Sequence, residues 1–433
     1  MRKNYQTDAA AAVTNPGVVM PERVTLAMAE LAGAVKEGLL ALAVGAGLQV
    51  MQVMMEEGVT ELAGPKGRHD RNRVAVRHGH ENGSVTLGGR RVPVRRPRVR
   101  AADGSGEVAV PAYELFASTE LLGELALERM MAKLSTRRYP TGLEPVGSAV
   151  EAAATSTSKS SVSRRFVART EVALTELLAA DLSELDLVAL MVDGVHFAES
   201  CCVVALGVAA DGTKVPLGLV EGATENATVV TDLLVGLRER GLDVTRPTLV
   251  VIDGSKALAS AVRAVFDRAV IQRRQLHKVR NVEAKLPKAL AALVAKKMRA
   301  AYRDPDPLGA QAALEALARD LQRAHPGAAA SLREGLADTL TVGRLGVPPT
   351  LARTLRSTNA IESMMEICRD HASNVKRWRD GQMALRWCAA GMGEAAKQFR
   401  RVNGHLHLPA LRRALDRHFD NATTIAEPDS AAA

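Results

Sequence analysis

The spacing of apolar residues predicts three regions of different secondary structure. Residues 21–58 have a helical pattern with a break expected near Gly45–Gly47. Beyond Leu185, apolar runs separated by turn residues predict strands at 187–192, 201–208, 215–220, 248–252 and 269–271 and helices at 225–241 and 256–266. Residues 280–350 and 358–399 are helical in pattern. Antiparallel strands followed by a helix and a buried parallel strand indicate an α/β domain.

A β-hairpin is predicted within a basic segment. Val85 and Leu87 alternate with polar residues, Gly88-Gly89 suits a tight turn, and Val92 resumes the alternation, while Pro93 and Pro97 confine the second strand to an edge. Residues 65–100 hold eleven Lys/Arg against two acidic residues, so this segment carries the chain's whole net charge of +9. The charge predicts contacts with DNA phosphates by Arg90, Arg91, Arg95, Arg96, Arg98 and Arg100.

A second basic element follows residues 119–134, which are helical in pattern. After a stretch rich in Pro and Gly, the Ser/Thr run 155–163 opens a helix that carries Lys159, Arg164 and Arg165. Two helices of this kind suggest a helix-turn-helix that reads DNA. The alternative is a solvated linker that leads into a surface helix. We therefore predict a mainly helical N-terminal DNA-binding region at 21–180, with flexible tails at 1–20 and 416–433.

Several classes of protein and site are disfavoured. Residues 38–55 carry no charge, but glycines and glutamines interrupt them, so we predict a buried helix and no membrane span. We expect the protein to be cytoplasmic and associated with the nucleoid, without a membrane partner. The four cysteines lack C-x-x-C spacing, which fits a reducing compartment. Two His-x-His pairs, at 78/80 and 405/407, have no cysteine partners for zinc. A nucleotide-binding P-loop motif is absent.

Two apolar runs end in Asp-Gly, at Asp193 and at Asp253. Carboxylates at strand ends are held rigidly at the edge of a sheet, where α/β proteins bind ligands. Phosphoryl transfer on DNA uses two divalent cations about 4 Å apart, and carboxylate oxygens suit Mg²⁺ or Mn²⁺. The structural alternatives are that Asp-Gly is a common turn and that Asn359-x-x-Glu362 is a helix capping box, in which Glu362 caps its own helix. Motif chemistry alone leaves both interpretations open.

Four segments resemble the mutator-type transposases of bacterial insertion sequences. They are Val192–Val195, Val251–Ser255, Leu276–Asn281 and Ser357–Ser363, the last followed by Val375-Lys376-Arg377-Trp378. The resemblance implies a ribonuclease H-like catalytic core at 181–277 and 356–415 with a helical insertion at 278–355. It implies that Asp193, Asp253 and Glu362 bind two metal ions, with His277, Arg280 and Asn359 nearby and Lys376 and Arg377 on DNA.

The same resemblance implies a reaction and its partners. Such enzymes nick DNA at the terminal inverted repeats of an element, and the freed 3′-hydroxyl then attacks target DNA. They work as homodimers, since two element ends must be brought together. This sequence departs from the family at one place, because Arg274 stands where a Cys is usual. Two alternatives remain: a resolvase-type nuclease with the same metal chemistry, and a non-catalytic DNA-binding regulator derived from a transposase.

Overall fold

The structure, a computed structural model, describes residues 22–68, 70, 72–222 and 227–426. The predicted tail at 1–20 lies outside these residues. The chain forms two compact units: one comprises the chain up to Leu122 together with Pro140–Ser158, and the other comprises Gly123–Tyr139 and everything from Lys159. Residues 159–180, predicted as part of the N-terminal region, therefore cluster with the second unit.

The first unit begins with one long helix, α1 (Glu22–Ala63), which continues without a break through Gly45 and Gly47. A glycine costs a helix only about 1 kcal/mol, so the predicted interruption does not occur. The prediction of a buried helix is also wrong, because Leu39, Leu42, Val50 and Val53 are 56–70% exposed. By length and composition, residues 38–63 alone among the described residues form a helix that could cross a membrane. Val59 and Ala63 in its last turns belong to a hydrophobic cluster.

The predicted hairpin is confirmed, and its strands are longer than expected. β1 (Ala75–Leu87) pairs antiparallel with β2 (Arg90–Ala101), and Leu87 faces Arg90 across the turn. Gly88 and Gly89 have φ values of 54° and 76°, as a primed two-residue turn requires. A third strand, β3 (Glu107–Val108), pairs only with Val99 and Arg100, so Pro93 and Pro97 lie where β2 has no second partner strand. Short helices α2 (Pro111–Ala117) and α4 (Ser148–Ala153) complete this unit.

The predicted helix-turn-helix is not formed by its two predicted helices. α3 (Glu120–Met131) ends well before α5 (Lys159–Ala179) begins, and residues 132–158 lie between them. A helix-turn-helix joins its helices by three or four residues. Instead, α5 buries Val162, Phe166 and Thr170, and the Phe166 ring lies 4.6 Å from that of Trp387. Its basic first turns therefore belong to a helix packed in the second unit.

The second unit is built on a five-stranded sheet in the order β6-β5-β4-β7-β8. β4 (Leu187–Phe197), β5 (Ser200–Ala209) and β6 (Lys214–Gly222) are antiparallel, whereas β7 (Thr248–Ile252) and β8 (Ala269–Arg273) run parallel to β4. Helices α6 (Ala227–Glu239) and α7 (Lys256–Val265) pack on it. The predicted α/β domain is thus confirmed, with strand positions close to those expected.

Seven helices follow the sheet, and the first five of them share a hydrophobic core. They are α8 (Gln275–Glu283), α9 (Lys288–Ala301), α10 (Pro307–Gln322), α11 (Pro326–Arg333), α12 (Leu336–Thr339), α13 (Thr341–Arg344) and α14 (Pro349–Leu355). Val282, Met298, Leu314 and Leu332 belong to this core. The end of α12 lies against the last strand of the sheet. The side chains of Gln272 on β8 and Gln275 on α8 both donate hydrogen bonds to the carbonyl oxygen of Thr339. The helical character of this region agrees with the prediction.

Three helices close the second unit: α15 (Asn359–His371), α16 (Gly381–Gln398) and α17 (Leu408–Ala426). The helical pattern predicted over 358–399 is therefore interrupted between His371 and Gly381. The flexible tail predicted from residue 416 is wrong as far as Ala426, and residues 427–433 lie outside the described ones. Burial of Leu408, Leu411 and Leu415 on one face holds α17 to the unit.

Candidate active site and nucleic-acid interface

Asp193 and Asp253 lie beside each other at one edge of the parallel strand pair. Val192 of β4 pairs with Ile252, the last residue of β7. Asp193 follows Val192 on β4, and Asp253 follows Ile252 in the loop after β7. The prediction that Asp193 ends its strand is wrong, because β4 continues to Phe197 as one arm of a hairpin with β5. Asp193 and Asp253 still lie side by side, because the pairing of β4 with β7 extends to Ile252, the residue before Asp253. Neighbouring strands are about 4.8 Å apart, which places the two carboxylates in one small region.

Asp253 is held by a turn and faces a histidine. Its Oδ1 accepts a hydrogen bond of 2.8 Å from the backbone N–H of Ser255, and Ser255 in turn caps α7. Its Oδ2 lies 3.9 Å from Nδ1 of His277 on α8. His277 was a candidate from the sequence, and the structure brings it to the site. Arg280, one turn further along α8, is exposed.

Asp193 has an unusual electrostatic environment. The pKa of its carboxyl group is raised to about 6, and burial is the largest cause. The negative charges of Asp253 and Glu362 raise this pKa further, whereas the N–H of Gly194 and the charge of Arg274 lower it. The three predicted carboxylates are therefore close enough to interact. A site with this excess of negative charge favours a proton or a cation.

Glu362 is in the first turn of α15, and its carboxylate pairs with Arg274. The predicted capping box is not formed: Thr358 occupies the N-cap position without a side-chain hydrogen bond, and Asn359 is the first helical residue and is exposed. The charge of Glu362 thus serves the carboxylate cluster and not its own helix. Arg274, which sequence reasoning left without a role, is the counter-ion.

The residues present fit hard divalent cations better than zinc. Within the described ranges, no three His, Cys, Asp or Glu side chains are grouped closely enough to hold one metal ion. The His-x-His pairs are engaged elsewhere, since His80 pairs with Glu56 and His405 with the carbonyl oxygen of Val402. Three interacting carboxylates are the oxygen ligands that Mg²⁺ and Mn²⁺ prefer. The ion pair to Arg274 is what keeps Glu362 from being a free ligand.

Replacing Asp193 by Asn is expected to stabilise the protein in EDTA at pH 8. The pKa of Asp193 is about 6 in the fold against a usual 3.8, so the folded state binds more protons and its stability falls as pH rises from about 4 to 6. Two pKa units correspond to about 3 kcal/mol, and Asn removes the penalty. Chemical denaturation should show a gain of about 1–3 kcal/mol at pH 8 and almost none at pH 4. A loss of stability at pH 8 would contradict the assigned environment.

A basic cleft in the second unit gathers residues from three segments. It has a volume of about 910 Å³, and eight cationic side chains line it without any acidic one: Lys133, Arg137, Arg138, Lys159, Lys376, Arg377, Arg379 and Arg386. Lys159, Lys376 and Arg377 were predicted to bind DNA, and the structure brings them together. Arg137, Arg138 and Arg379 were missed, although the dibasic pair and the Arg-x-Arg spacing were visible signals.

Most cations of this cleft are available to an anion. Arg137, Lys159, Lys376, Arg377 and Arg379 are exposed, and none of them forms an ion pair with a described acidic residue. Lys133 does pair with Asp370. The wall behind is apolar, because Trp387 is buried against Phe166 and lies 6.3 Å from Trp378. Trp378 in turn packs on Phe197, four residues beyond Asp193 on β4, so one aromatic cluster joins the cleft to β4.

The hairpin arginines are less available than their charge suggested. Arg90 is only 2% exposed and bonds to the carbonyl oxygens of Gly88 and Glu144 and to Glu151, so it is a core residue and the prediction of a DNA contact is wrong. Arg91 is bound by Ser84, Thr86 and Ala117.

Four further predicted DNA-binding arginines of the hairpin differ in their surroundings. Arg96 and Arg98 both form ion pairs with Glu81 and Glu107. At Arg96, burial has the largest effect and lowers the pKa, but the two glutamates together outweigh it and raise the pKa. At Arg98, the hydrogen bond to Glu107 has the largest effect and raises the pKa. Arg95 and Arg100 are exposed, as is Arg164 on α5, whereas Arg165 is half-buried. The exposed Arg95, Arg100 and Arg164 form no ion pair with a described acidic residue, although Arg95 donates a hydrogen bond to Asn82 and Arg164 donates one to Ser161.

The chain is similar in sequence to known transposases. The sequence model of the family described as "Transposase, Mutator family" matches residues 25–402. A transposase for insertion sequence element IS6120 from Mycolicibacterium smegmatis is 33% identical over 235 residues, which cover 53% of this chain and 71% of that protein. A transposase for insertion sequence element ISRM5 from Rhizobium meliloti (strain 1021) is 26% identical over 367 residues, covering 84% and 90%.

A third relative matches a shorter stretch. The transposase for insertion sequence element IST2 from Acidithiobacillus ferrooxidans is 29% identical over 176 residues, which cover 41% of this chain and 58% of that protein. The family match spans both compact units and includes all three carboxylates. The chain therefore belongs to the mutator family of transposases.

Proposed function

We propose that this chain is an insertion-sequence transposase that cleaves and joins DNA strands with two Mg²⁺ or Mn²⁺ ions held by Asp193, Asp253 and Glu362. The observation that carries the proposal is geometric: pairing of Val192 with Ile252 brings Asp193 and Asp253 to one edge of the sheet. Glu362 joins them, because its charge and those of Asp253 and Arg274 all act on Asp193. A cluster of this kind is costly without a cation and is typical of functional sites. The sheet order, with three antiparallel and two parallel strands, is compatible with a ribonuclease H-like core.

Bound metal ions would activate water and then a 3′-hydroxyl, and would stabilise the leaving oxygen of each displaced strand. The protein's own contribution is position. β4 and the turn after β7 fix Asp193 and Asp253, while α15 brings Glu362 from a distant part of the sequence. His277, beside Asp253, can accept or donate a proton at Nδ1 near the reacting phosphate.

The basic cleft is proposed to hold the DNA backbone next to this site. Five exposed, unpaired cations lie within one cavity, and an aromatic cluster connects that cavity to β4. Phosphate contacts position DNA and do not specify sequence. We infer that reading of the terminal inverted repeats involves the exposed arginines Arg95, Arg100 and Arg164. Because two element ends must be held together, we propose that the protein acts as a homodimer. Because its proposed substrates are element ends and target DNA, we propose that it acts on the nucleoid in the cytoplasm.

Metal identity provides a direct test of the proposed reaction. Cleavage of an element-end duplex should require Mg²⁺ or Mn²⁺ and stop in EDTA, whereas Ca²⁺ should support DNA binding with little turnover, because its coordination is less strict. A zinc-selective chelator should have no effect. Retention of activity after EDTA treatment, or stoichiometric zinc that activity requires, would overturn the assignment.

A second candidate function is a non-catalytic DNA-binding regulator. One observation favours it: the guanidinium of Arg274 already occupies the carboxylate that should bind metal. Purified protein that binds element ends with Mn²⁺ present but cleaves none of them would support the regulator. A resolvase-type nuclease, the remaining alternative from the sequence, should instead cut branched DNA in preference to element ends.

A further inference from the structure

The position of Arg274 is fixed independently of its side chain. Its backbone N–H donates to the carbonyl oxygen of Ile252, 2.8 Å away, directly before Asp253. Its neighbour Arg273 pairs with Glu334 and Asp338, and Lys278 on α8 pairs with Glu334 as well. The chain on both sides of Arg274 is therefore anchored. The guanidinium consequently approaches the carboxylate cluster from a rigid base, at the junction of β8 and α8.

The side chain of Arg274 is 11% exposed, and that of Glu362 is 36% exposed. Arg274 pairs with Glu362, and its charge also acts on Asp193, where it opposes the rise in pKa. One cation thus serves carboxylates from two elements, β4 and α15. A guanidinium binds a carboxylate through a planar set of donors and is always charged, so a proton transfer cannot release it.

We propose that Arg274 is an internal cation that takes the place of metal at Glu362, so that metal binding requires its displacement. The inference rests on the proposed function, in which Glu362 is a metal ligand. The same carboxylate oxygens cannot be fully shared, because a guanidinium and a divalent ion placed within a few ångströms of each other repel strongly. Metal-free protein is stabilised by the ion pair, and metal affinity is lowered by the free energy needed to break it.

Arg274→Gln tests the proposal by metal binding. The variant keeps the backbone bond to Ile252 and removes the charge. We expect its dissociation constant for Mn²⁺, measured by electron paramagnetic resonance or calorimetry without DNA, to be at least about tenfold lower than that of the wild type. The matched control is Arg319→Gln, which removes an exposed charge from α10 in the helical region. The control should change the constant less than about threefold.

A double-mutant cycle separates the ion pair from a structural role. Arg274→Gln, Glu362→Gln and the double variant are compared by unfolding in EDTA and again in saturating Mn²⁺. The coupling between the two residues should be clear in EDTA and vanish in Mn²⁺. A role in folding alone would leave the coupling the same in both conditions.

The outcomes distinguish this inference from the proposed function. Equal or weaker Mn²⁺ binding by Arg274→Gln, beside measurable wild-type binding, overturns the displacement and leaves the metal site standing. Absence of Mn²⁺ binding in both proteins overturns the proposed function and the inference with it. If Arg274→Gln fails to fold, Arg274→Lys replaces it: lysine keeps the charge and loses the planar donors, and we expect Mn²⁺ affinity between those of wild type and the glutamine variant.

Discussion

Asp193→Asn, Asp253→Asn and Glu362→Gln are each expected to reduce strand cleavage by at least about a thousandfold while DNA affinity stays within about threefold of the wild type. Each change keeps the shape of the side chain and removes a charge that we propose binds metal. In the proposed site the carboxylates act as a group, so loss of one ligand should misplace both ions. The measurement is cleavage of a labelled element-end duplex in Mg²⁺, with binding followed by fluorescence anisotropy in Ca²⁺.

The matched control for Glu362→Gln is Glu366→Gln. Glu366 lies one turn further along α15 and is exposed, so its replacement removes the same charge from the same helix outside the cluster. The control should cleave at nearly the wild-type rate. Any of the three variants that retains cleavage within about tenfold of the wild type loses its place in the site, since an essential group costs several kcal/mol.

Replacing Arg137, Arg377 and Arg379 together by Ala is expected to weaken binding of all DNA sequences by roughly ten- to a hundredfold at moderate salt. Each cation that neutralises a phosphate contributes a slope of about −0.9 to a plot of log affinity against log salt concentration, so the triple variant should flatten the slope by about two to three. Discrimination between element-end and random DNA should remain, because phosphate contacts are independent of sequence.

The control for this variant removes an equal charge elsewhere. Lys288, Arg319 and Arg323 are exposed in the helical region and lie outside the cleft. Their joint replacement by Ala should change the slope by less than about one. Equal flattening by both triple variants would mean that overall charge binds DNA and that the cleft has no special part.

The sheet could be predicted well from sequence, and the reason is local. Apolar runs of three to eight residues bounded by turn residues define β4 to β8 in the sequence, and most residues of these strands are buried. The exact end of β4 could not be predicted, because Asp193 and Gly194 look like a turn. Only pairing with β5 extends the strand to Phe197.

Features that depend on distant residues were not predictable. Arg90 and Arg100 both lie in the basic segment of the sequence and look alike there. Only Arg90 is buried, because it donates a hydrogen bond to the carbonyl oxygen of Glu144 and forms an ion pair with Glu151. The helix α1 has apolar residues like those of a core helix, and nothing local reveals that Leu39, Leu42, Val50 and Val53 are exposed. The ion pair of Arg274 and Glu362 joins positions separated by the whole helical region, and no spacing rule connects them.

The core shared by α8–α12 has a consequence for how the protein folds. Asp193 and Glu362 must meet across that region, and closing a long flexible loop is entropically costly and slow. Because the helices can bury Val282, Met298 and Leu314 among themselves, and because Thr339 returns to Gln272, their early collapse turns the long loop into a short one. A nascent chain that ends before α15 carries two carboxylates without the third. The carboxylate cluster is therefore complete only once α15 has been synthesised and has packed on the sheet.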